Sequence, residues 1–161
     1  MPIDTNHLGL YTDFYELAMA QGYFYSQRNE ERAVFDYFFR SNPFEGGFTV
    51  YAGLQDFLDM LTNFRYSPSD IEYLSKQGFK EKFLKYLTDF QFSGTVFSMK
   101  EGELIFPNQP IMRIEGNILE CQLIESLLLN ILNFESLIAT KAFRIKLVCG
   151  DRPFTDFGLR R

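Results

Sequence analysis

Residues 117–149 read NILECQLIESLLLNILNFESLIATKAFRIKLVC, and this stretch decides the fold. It lies between Gly116 and Gly150 and contains neither glycine nor proline. Apolar residues recur in it at three- and four-residue spacing, which is the pattern of one helical face. They are Leu119, Leu123, Leu127, Ile131, Ile138, Ala142 and Ile145. The stretch therefore predicts a long core helix, with one break near Asn133.

Charge and composition argue against membranes and nucleic acids as partners. The longest uncharged run of the predicted helix, residues 126–134, has nine residues, whereas a membrane span needs roughly 20 apolar residues. The net charge is −5, from 16 basic and 21 acidic residues, and no basic run exceeds two residues. Such a balance disfavours anionic surfaces. Because the first residues also lack a secretory signal pattern, we expect a cytoplasmic protein.

Upstream of this helix the hydrophobic pattern alternates between helical and strand periodicity, which is typical of an α+β fold. The first predicted helix begins at Thr12 or Asp13 and ends near Gly22 or Tyr25. Further helices are predicted around residues 54–61, 68–78 and 79–90, and strands at 33–39, 48–51, 95–99, 103–106 and 110–115. The strand at 33–39 is aromatic and β-branched, so we expect it to be buried.

The chain lacks the residue sets of the common nucleophilic and metal sites. It has one histidine, His7, in a terminus that we expect to be mobile, which excludes a two-histidine metal site. Cys121 and Cys149 have no CxxC spacing and fall inside the predicted helix. This placement favours buried, reduced thiols over a disulfide. The sequence therefore identifies no metal ligands.

Residues 157–161, FGLRR, form the first cluster that could bind a ligand. The guanidinium groups of Arg160 and Arg161 could each bind a carboxylate or phosphate through paired hydrogen bonds. Phe157 adds an aromatic ring within one strand's length of both arginines. The alternative is a pair of solvated charges, and this stretch alone does not separate the two. Arg40, just after the strand at 33–39, could likewise reach a phosphate or pair with an acid.

Residues 11–15, YTDFY, form the second cluster, because they combine a helix start with aromatic side chains. The ring of Tyr15 could stack on a flat heterocycle, and Asp13 could orient its polar substituents. The alternative is aromatic core packing with a helix cap, and the local pattern favours it.

Eight blocks of sequence, spread in order along the chain, carry a resemblance to a known family. They are YTDFYELAMAQGY (11–23), FFRSNPF (38–44), AGL (52–54), FSGTV (92–96), EGELIFPNQP (101–110), EG (115–116), ATKA (139–142) and FGLRR (157–161). Jointly they resemble the N-terminal part of nicotinate phosphoribosyltransferases. Each block alone has low specificity, but the eight blocks together, in the family's order, make the resemblance specific.

The resemblance implies a reaction and a fold. The reaction is transfer of the 5-phosphoribosyl group from 5-phosphoribosyl 1-diphosphate to nicotinate, which gives nicotinate mononucleotide and diphosphate with assistance from ATP and Mg²⁺. The fold is an α+β N-terminal domain over residues 1–119, with helices and a small open barrel of short strands. Residues 120–161 would then form a long crossover helix and the first strand of an irregular α/β barrel. Similar enzymes are homodimers with shared sites.

Site roles are carried over by resemblance as well. Tyr15 is similar to a tyrosine that stacks on the pyridine ring from the neighbouring subunit, with Asp13 beside it. Phe157 is similar to the aromatic residue on the other face of the ring. Together they imply a sandwich around nicotinate.

In the implied site, the arginines bind the anionic groups of the substrates. Arg160 resembles the catalytic arginine that meets the nucleotide phosphate or the nicotinate carboxylate, and Arg161 supports it. Arg40 resembles a diphosphate contact that is donated across the dimer. These guanidiniums would offset the charge of the leaving diphosphate.

The family's phosphorylated histidine has no counterpart here, since His7 has no likeness to its motif. We therefore expect the 161 residues to carry part of a site and to be inactive alone. The close alternative is a nicotinamide-specific relative, although Glu16 after Tyr15 and Arg161 after Arg160 look more like the nicotinate enzyme. The alternative of another class is a non-catalytic module that dimerises through its aromatic first helix.

Overall fold

Six α-helices and five short strands make up residues 5–155, the part of the chain that the computed structural model describes. The helices are α1 (Phe14–Tyr25), α2 (Leu54–Thr62), α3 (Pro68–Lys76), α4 (Glu81–Thr88), α5 (Ile118–Leu123) and α6 (Glu125–Cys149). The strands are β1 (Arg32–Tyr37), β2 (Thr49–Val50), β3 (Thr95–Ser98), β4 (Leu104–Ile105) and β5 (Met112–Asn117). Short 3₁₀ turns lie at Thr5–Leu10 and Pro43–Glu45.

The long apolar stretch folds as two helices, and the predicted break near Asn133 is wrong. The backbone turns at Ile124, so that α5 packs on α1, β1 and β5 whereas α6 packs on α2 and β2. Asn133 stays inside α6 because its side-chain oxygen accepts a hydrogen bond from Tyr37. The amide oxygen is thus occupied elsewhere and does not compete for the helix backbone.

The strands form two small antiparallel sheets. In the larger one β5 lies between β1 and β3, in a register that aligns Phe35, Ile114 and Val96. The smaller one pairs β2 with β4. The expected α+β organisation is therefore confirmed as a mixed fold with small antiparallel sheets.

Strand β1 is more exposed than its composition predicts. The side chains of Val34 and Phe35 are 58% and 41% exposed, and only Tyr37 at the end of the strand is buried. Among the described residues β1 pairs with β5 alone, so it is an edge strand that the helices cover in part. The prediction of a buried strand is wrong because aromatic composition reports strand propensity, while burial depends on neighbours.

The core is aromatic, as 19 phenylalanines and 9 tyrosines imply. Phe64, Tyr66 and Phe90 form a triangle of edge-to-face contacts with ring centroids 5.6–6.0 Å apart. Such contacts satisfy the ring quadrupoles better than face-to-face stacking. Tyr86 of α4 extends this cluster, since its ring centroid lies 6.4 Å from that of Phe90.

The expectation that both thiols are buried is corrected, and His7 has a partner. His7 lies in the 3₁₀ turn Thr5–Leu10, and its Nδ1 is 2.5 Å from Oδ1 of the buried Asp70. Both cysteines are free thiols, but only Cys121 is buried, while Cys149 near the end of α6 is half-buried. None of the helices in residues 5–155 combines the length and apolar character needed to cross a membrane.

The second half of α6 presents apolar side chains to solvent. Val148 is 90% exposed, Phe134 is 62% exposed and Leu147 is 61% exposed. Others on this part of the helix are Leu137, Ile138, Phe143 and Ile145. Exposed apolar area of this extent is typical of surfaces that pack against other protein.

Candidate functional site

An open groove of about 670 Å³ runs between the segment before α1 and one face of α6. Helix α6 contributes residues at three- and four-residue spacing, which places them on one side of the helix. The lining residues are Leu10, Tyr11, Thr12, Asp13, Ser126, Leu129, Asn130, Asn133, Phe134 and Leu137. The groove thus combines an apolar floor with hydroxyl, amide and carboxylate groups, the mixture found in small-molecule sites.

Hydrogen bonds tie both walls of the groove together. The amide of Asp13 donates to Oγ of Ser126 at 3.2 Å, and the same Oγ donates to Oε2 of Glu16 at 3.1 Å. Thr12 also donates to Oε2 of Glu16. Further along, the Tyr11 hydroxyl donates to Oδ1 of Asn130 at 2.7 Å. The start of α1 is therefore held from α6 as well as by its own helix.

Glu16 is a buried carboxyl group beneath this groove, with 1% of its surface exposed. Burial raises the pKa of Glu16, and the hydrogen bonds from Thr12 and Ser126 act in the opposite direction. The neighbouring carboxylates of Glu125 and Asp13 raise it further. Desolvation is thus the main influence on this group, and the two hydroxyls stabilise its charged form.

Tyr15 stands in the first turn of α1 with its ring 53% exposed. The nearby charge of Glu16 is the largest of several causes that raise the pKa of Tyr15, so the ring stays a neutral phenol at physiological pH. Asp13, the N-cap residue, is exposed at the groove, and its side chain makes no capping hydrogen bond. An exposed ring and an exposed carboxylate therefore sit within one helical turn.

Arg40 is exposed in the bend that follows β1 and does not line the groove. The loop after it is pinned, since Thr49 donates to Asn42 at 3.2 Å and Arg144 of α6 donates to the carbonyl of Phe44 at 3.0 Å. Phe44 has a φ of 58°, in the left-handed region that is costly for a bulky residue. The structure thus fixes the loop beside Arg40 without bringing Arg40 into the groove.

The other predicted site residues, Phe157, Arg160 and Arg161, lie outside the described residues. Sequence reasoning missed Ser126, Asn130 and Asn133, which form the polar side of the groove. A signal was available, because these polar residues interrupt an apolar run at four- and three-residue spacing and so share one helical side.

A family model described as nicotinate phosphoribosyltransferase (NAPRTase) N-terminal domain matches residues 10–133. The chain belongs to this family. A nicotinate phosphoribosyltransferase of Bacillus subtilis is 49% identical to it over 155 residues, which cover 96% of this chain and 32% of the relative. One of Caenorhabditis elegans is 43% identical over 157 residues, which cover 94% of this chain and 28% of the relative.

Solved structures of nicotinate-related enzymes share the fold. The crystal structure of human nicotinic acid phosphoribosyltransferase aligns with a TM-score of 0.81 at 35% identity, over 88% of this chain and 29% of that chain. Nicotinate-nucleotide pyrophosphorylase from Pyrococcus furiosus aligns with a TM-score of 0.70 at 21% identity, over 94% of this chain and 32% of that chain. The chain thus spans about a third of the length of these relatives.

Proposed function

We propose that this chain is the N-terminal part of a nicotinate phosphoribosyltransferase. The enzyme transfers the 5-phosphoribosyl group of 5-phosphoribosyl 1-diphosphate to nicotinate, with ATP assistance, for NAD biosynthesis in the cytoplasm. The observation that carries the proposal is the exposed ring of Tyr15, in a chain that belongs to this family. Tyr15 does not itself line the groove, but it lies two residues after Asp13, which does. A ring buried in the core could not stack on a substrate.

In this proposal two aromatic rings hold nicotinate. Tyr15 stacks on one face of the pyridine ring, with Asp13 beside it, and Phe157 stacks on the other. Offset stacking on an aromatic face contributes about 0.5–1.5 kcal/mol beyond the burial of area. Fixing the ring in this way also removes part of the entropic barrier to reaction with the phosphoribosyl group.

The arginines hold the anionic groups. Arg160, supported by Arg161, binds the nucleotide phosphate or the nicotinate carboxylate, and Arg40 contacts the diphosphate. Guanidiniums suit this role because they donate paired hydrogen bonds and keep their charge. As the bond to diphosphate breaks, charge builds on the leaving group, and fixed positive groups stabilise it.

We further propose that the chain supplies only part of the site. Residues 1–119 would form the N-terminal α+β domain with its small open barrel, and residues 120–161 the long crossover helix with the start of an irregular α/β barrel. The apolar second half of α6 supports this, since such a surface suits packing against a further domain. In the proposed homodimer, Tyr15 and Arg40 serve the site of the neighbouring subunit.

ATP and Mg²⁺ belong to the proposal by resemblance alone. Within residues 5–155 no group of three histidine, cysteine, aspartate or glutamate side chains is arranged to hold a metal ion. Mg²⁺ is usually bound by one or two carboxylates together with substrate phosphates, so the described residues alone would not hold it.

The test is a Tyr15→Ala substitution in an enzyme completed with the remaining part of a relative. Loss of the stack should raise the Michaelis constant for nicotinate by about 2- to 13-fold, which corresponds to about 0.5–1.5 kcal/mol. Tyr25→Ala is the matched control, because Tyr25 is 41% exposed at the other end of α1. Equal constants in the two variants would remove Tyr15 from the site.

Two further assays separate the alternatives. Competition between nicotinate and nicotinamide should favour the acid, and a preference for the amide would replace the proposal with the nicotinamide enzyme. The isolated 161 residues should form no nicotinate mononucleotide, and robust turnover would refute the partial site. A completed protein that binds neither substrate would support the non-catalytic dimerising module.

A further inference from the structure

We infer that Ser126 and Glu16 are positioning residues, which clamp the first turn of α1 to α6 and so set the place of Tyr15 and Asp13. The importance of that place rests on the proposed function, whereas the clamp itself rests on contacts in this chain. Ser126 lies on α6, and Glu16 directly follows Tyr15 in α1.

The burial of Glu16 is the first argument. Its surface is 1% exposed, and none of the ion pairs among the described residues includes it. The charged groups that influence it, Glu125 on α6 and Asp13 before α1, are acidic. A buried carboxylate without a cation is unfavourable, and an apolar side chain would fill such a position more stably. Its hydrogen bonds to Thr12 and Ser126 therefore point to a geometric role.

The double role of the Ser126 hydroxyl is the second argument. It accepts from the Asp13 amide at 3.2 Å and donates to Glu16 at 3.1 Å, so one group holds both ends of the first turn. A hydroxyl can do both because it has one hydrogen and two lone pairs. Alanine at this position would release both contacts at once.

The unusual cap of α1 is the third argument. Aspartate at an N-cap position commonly accepts a hydrogen bond from its own helix, but the Asp13 side chain makes no such bond. The helix start is fixed from α6 instead, and the Asp13 carboxylate lines the groove. The clamp thus holds the helix start from α6 and leaves the Asp13 carboxylate at the groove.

The consequence falls on Tyr15, which lies between Asp13 and Glu16 in the clamped turn. Its ring is 53% exposed, so its position depends on the backbone of the clamped turn and on the adjacent Glu16 carboxylate, which interacts with its hydroxyl. Groups that bind a substrate must be held close to their productive geometry by supporting contacts. Ser126 and Glu16 supply those contacts.

The chain contains no tryptophan, so Tyr15→Trp introduces a single fluorescent reporter at the clamped turn. Time-resolved anisotropy of this residue, without ligand, measures its local motion. Adding Ser126→Ala should shift amplitude in the anisotropy decay from the slow component, which reports overall tumbling, to the fast component, which reports local motion. Ser126→Thr keeps the hydroxyl and should restore the slow component.

Ser136→Ala is the matched control. Ser136 is also on α6, and its hydroxyl likewise makes two contacts, accepting from the amide of Ala52 and donating to its carbonyl, both at 3.1 Å. It should leave the anisotropy of the reporter unchanged. Equal anisotropy in the Ser126→Ala and parent proteins would overturn the inference. It would also be overturned if Ser136→Ala increased the local motion of the reporter as much as Ser126→Ala, or if Ser126→Thr did not restore the slow component.

Kinetics in the completed enzyme, with Tyr15 intact, separate this inference from the proposed function. Ser126→Ala should raise the Michaelis constant for nicotinate relative to that for 5-phosphoribosyl 1-diphosphate, and Ser136→Ala should not change the ratio. If the parent enzyme does not use nicotinate, the proposed function fails while the anisotropy result still decides the clamp. If the parent is active and Ser126→Ala leaves the ratio unchanged, the positioning role fails.

Discussion

The hydroxyl of Tyr37 donates to Oδ1 of Asn133 at 2.8 Å, which joins the end of β1 to the middle of α6. Tyr37 is 8% exposed, and burial raises its pKa, so it remains a neutral donor over the physiological range. Asn133 also lines the groove. One hydrogen bond therefore couples the edge strand to the groove wall.

Removing this hydroxyl should weaken the fold measurably. Tyr37→Phe is expected to lower the free energy of unfolding by about 0.5–1.5 kcal/mol, the usual net contribution of one hydrogen bond. Urea denaturation followed by circular dichroism measures it. Tyr73→Phe is the control, because that tyrosine is 48% exposed on α3 and should change stability little. Equal stability of Tyr37→Phe and the parent would contradict the contribution of this bond.

The capping box of α3 should contribute about 1 kcal/mol to the free energy of unfolding. The Ser67 hydroxyl accepts from the Asp70 amide at 3.2 Å, and the Asp70 carboxylate accepts from the Ser67 amide at 2.8 Å. Ser67→Ala removes a cap and should cost about 0.5–2 kcal/mol. Thermal denaturation gives the difference. Ser75→Ala, at an exposed site of the same helix, should be neutral or slightly stabilising, and the prediction fails if both variants melt alike.

Glu135 should make stability depend on pH near neutrality. Burial, and then the neighbouring Asp56 carboxylate, raise the pKa of Glu135 from 4.5 to about 7. The folded chain therefore holds this proton more tightly than the unfolded chain. The contribution of Glu135 to stability is complete below pH 4.5 and is lost as the pH rises through about 7.

Glu135→Gln should consequently raise the melting temperature at pH 8 and change it little at pH 4.5. Melting temperatures of the variant and the parent across this range give the comparison. Glu103→Gln, at an exposed site before β4, is the control for loss of one negative charge. A difference between Glu135→Gln and the parent that does not grow with pH would refute this assignment.

The two thiols should react at different rates. Burial is the main cause that raises the pKa of Cys121 to about 11, and the nearby Glu120 charge adds to it. Since the thiolate is the nucleophile, Cys121 should resist iodoacetamide at pH 8, while the half-buried Cys149 is alkylated first. Peptide mass spectrometry over time follows both sites. Both should react quickly in urea, and fast labelling of native Cys121 would be inconsistent with its burial.

Local signals predicted most helices well. The helix-start signal at Ser67–Pro68 and the helix-end signal at Gly78 bracket α3. Apolar residues at three- and four-residue spacing mark α2 and α4. These signals work because caps and periodicity act within a few residues. The break in 117–149 was predicted at the wrong position, because its position depends on packing. The backbone turns at Ile124, where α5 meets the sheet, and Asn133 bonds to a tyrosine far away in sequence.

The residues of the candidate site were likewise predicted only in part from the sequence. Asp13 and Tyr15 were found from a short motif and its family resemblance. Ser126 and Asn130 were not, because their spacing shows a shared helical side but not which segment that side contacts. Their partners, Asp13 and Tyr11, lie more than a hundred residues earlier.

By itself the sequence determined the α+β class, the helix boundaries that have caps, and the family, since each depends on local spacing or on ordered motifs. Only the tertiary structure decided that β1 is an exposed edge, that Glu16 is buried without a cation, and that the start of α1 faces α6 across a groove. The physical reason is that burial and hydrogen-bond partners depend on which distant segments pack together, and no local pattern encodes that choice.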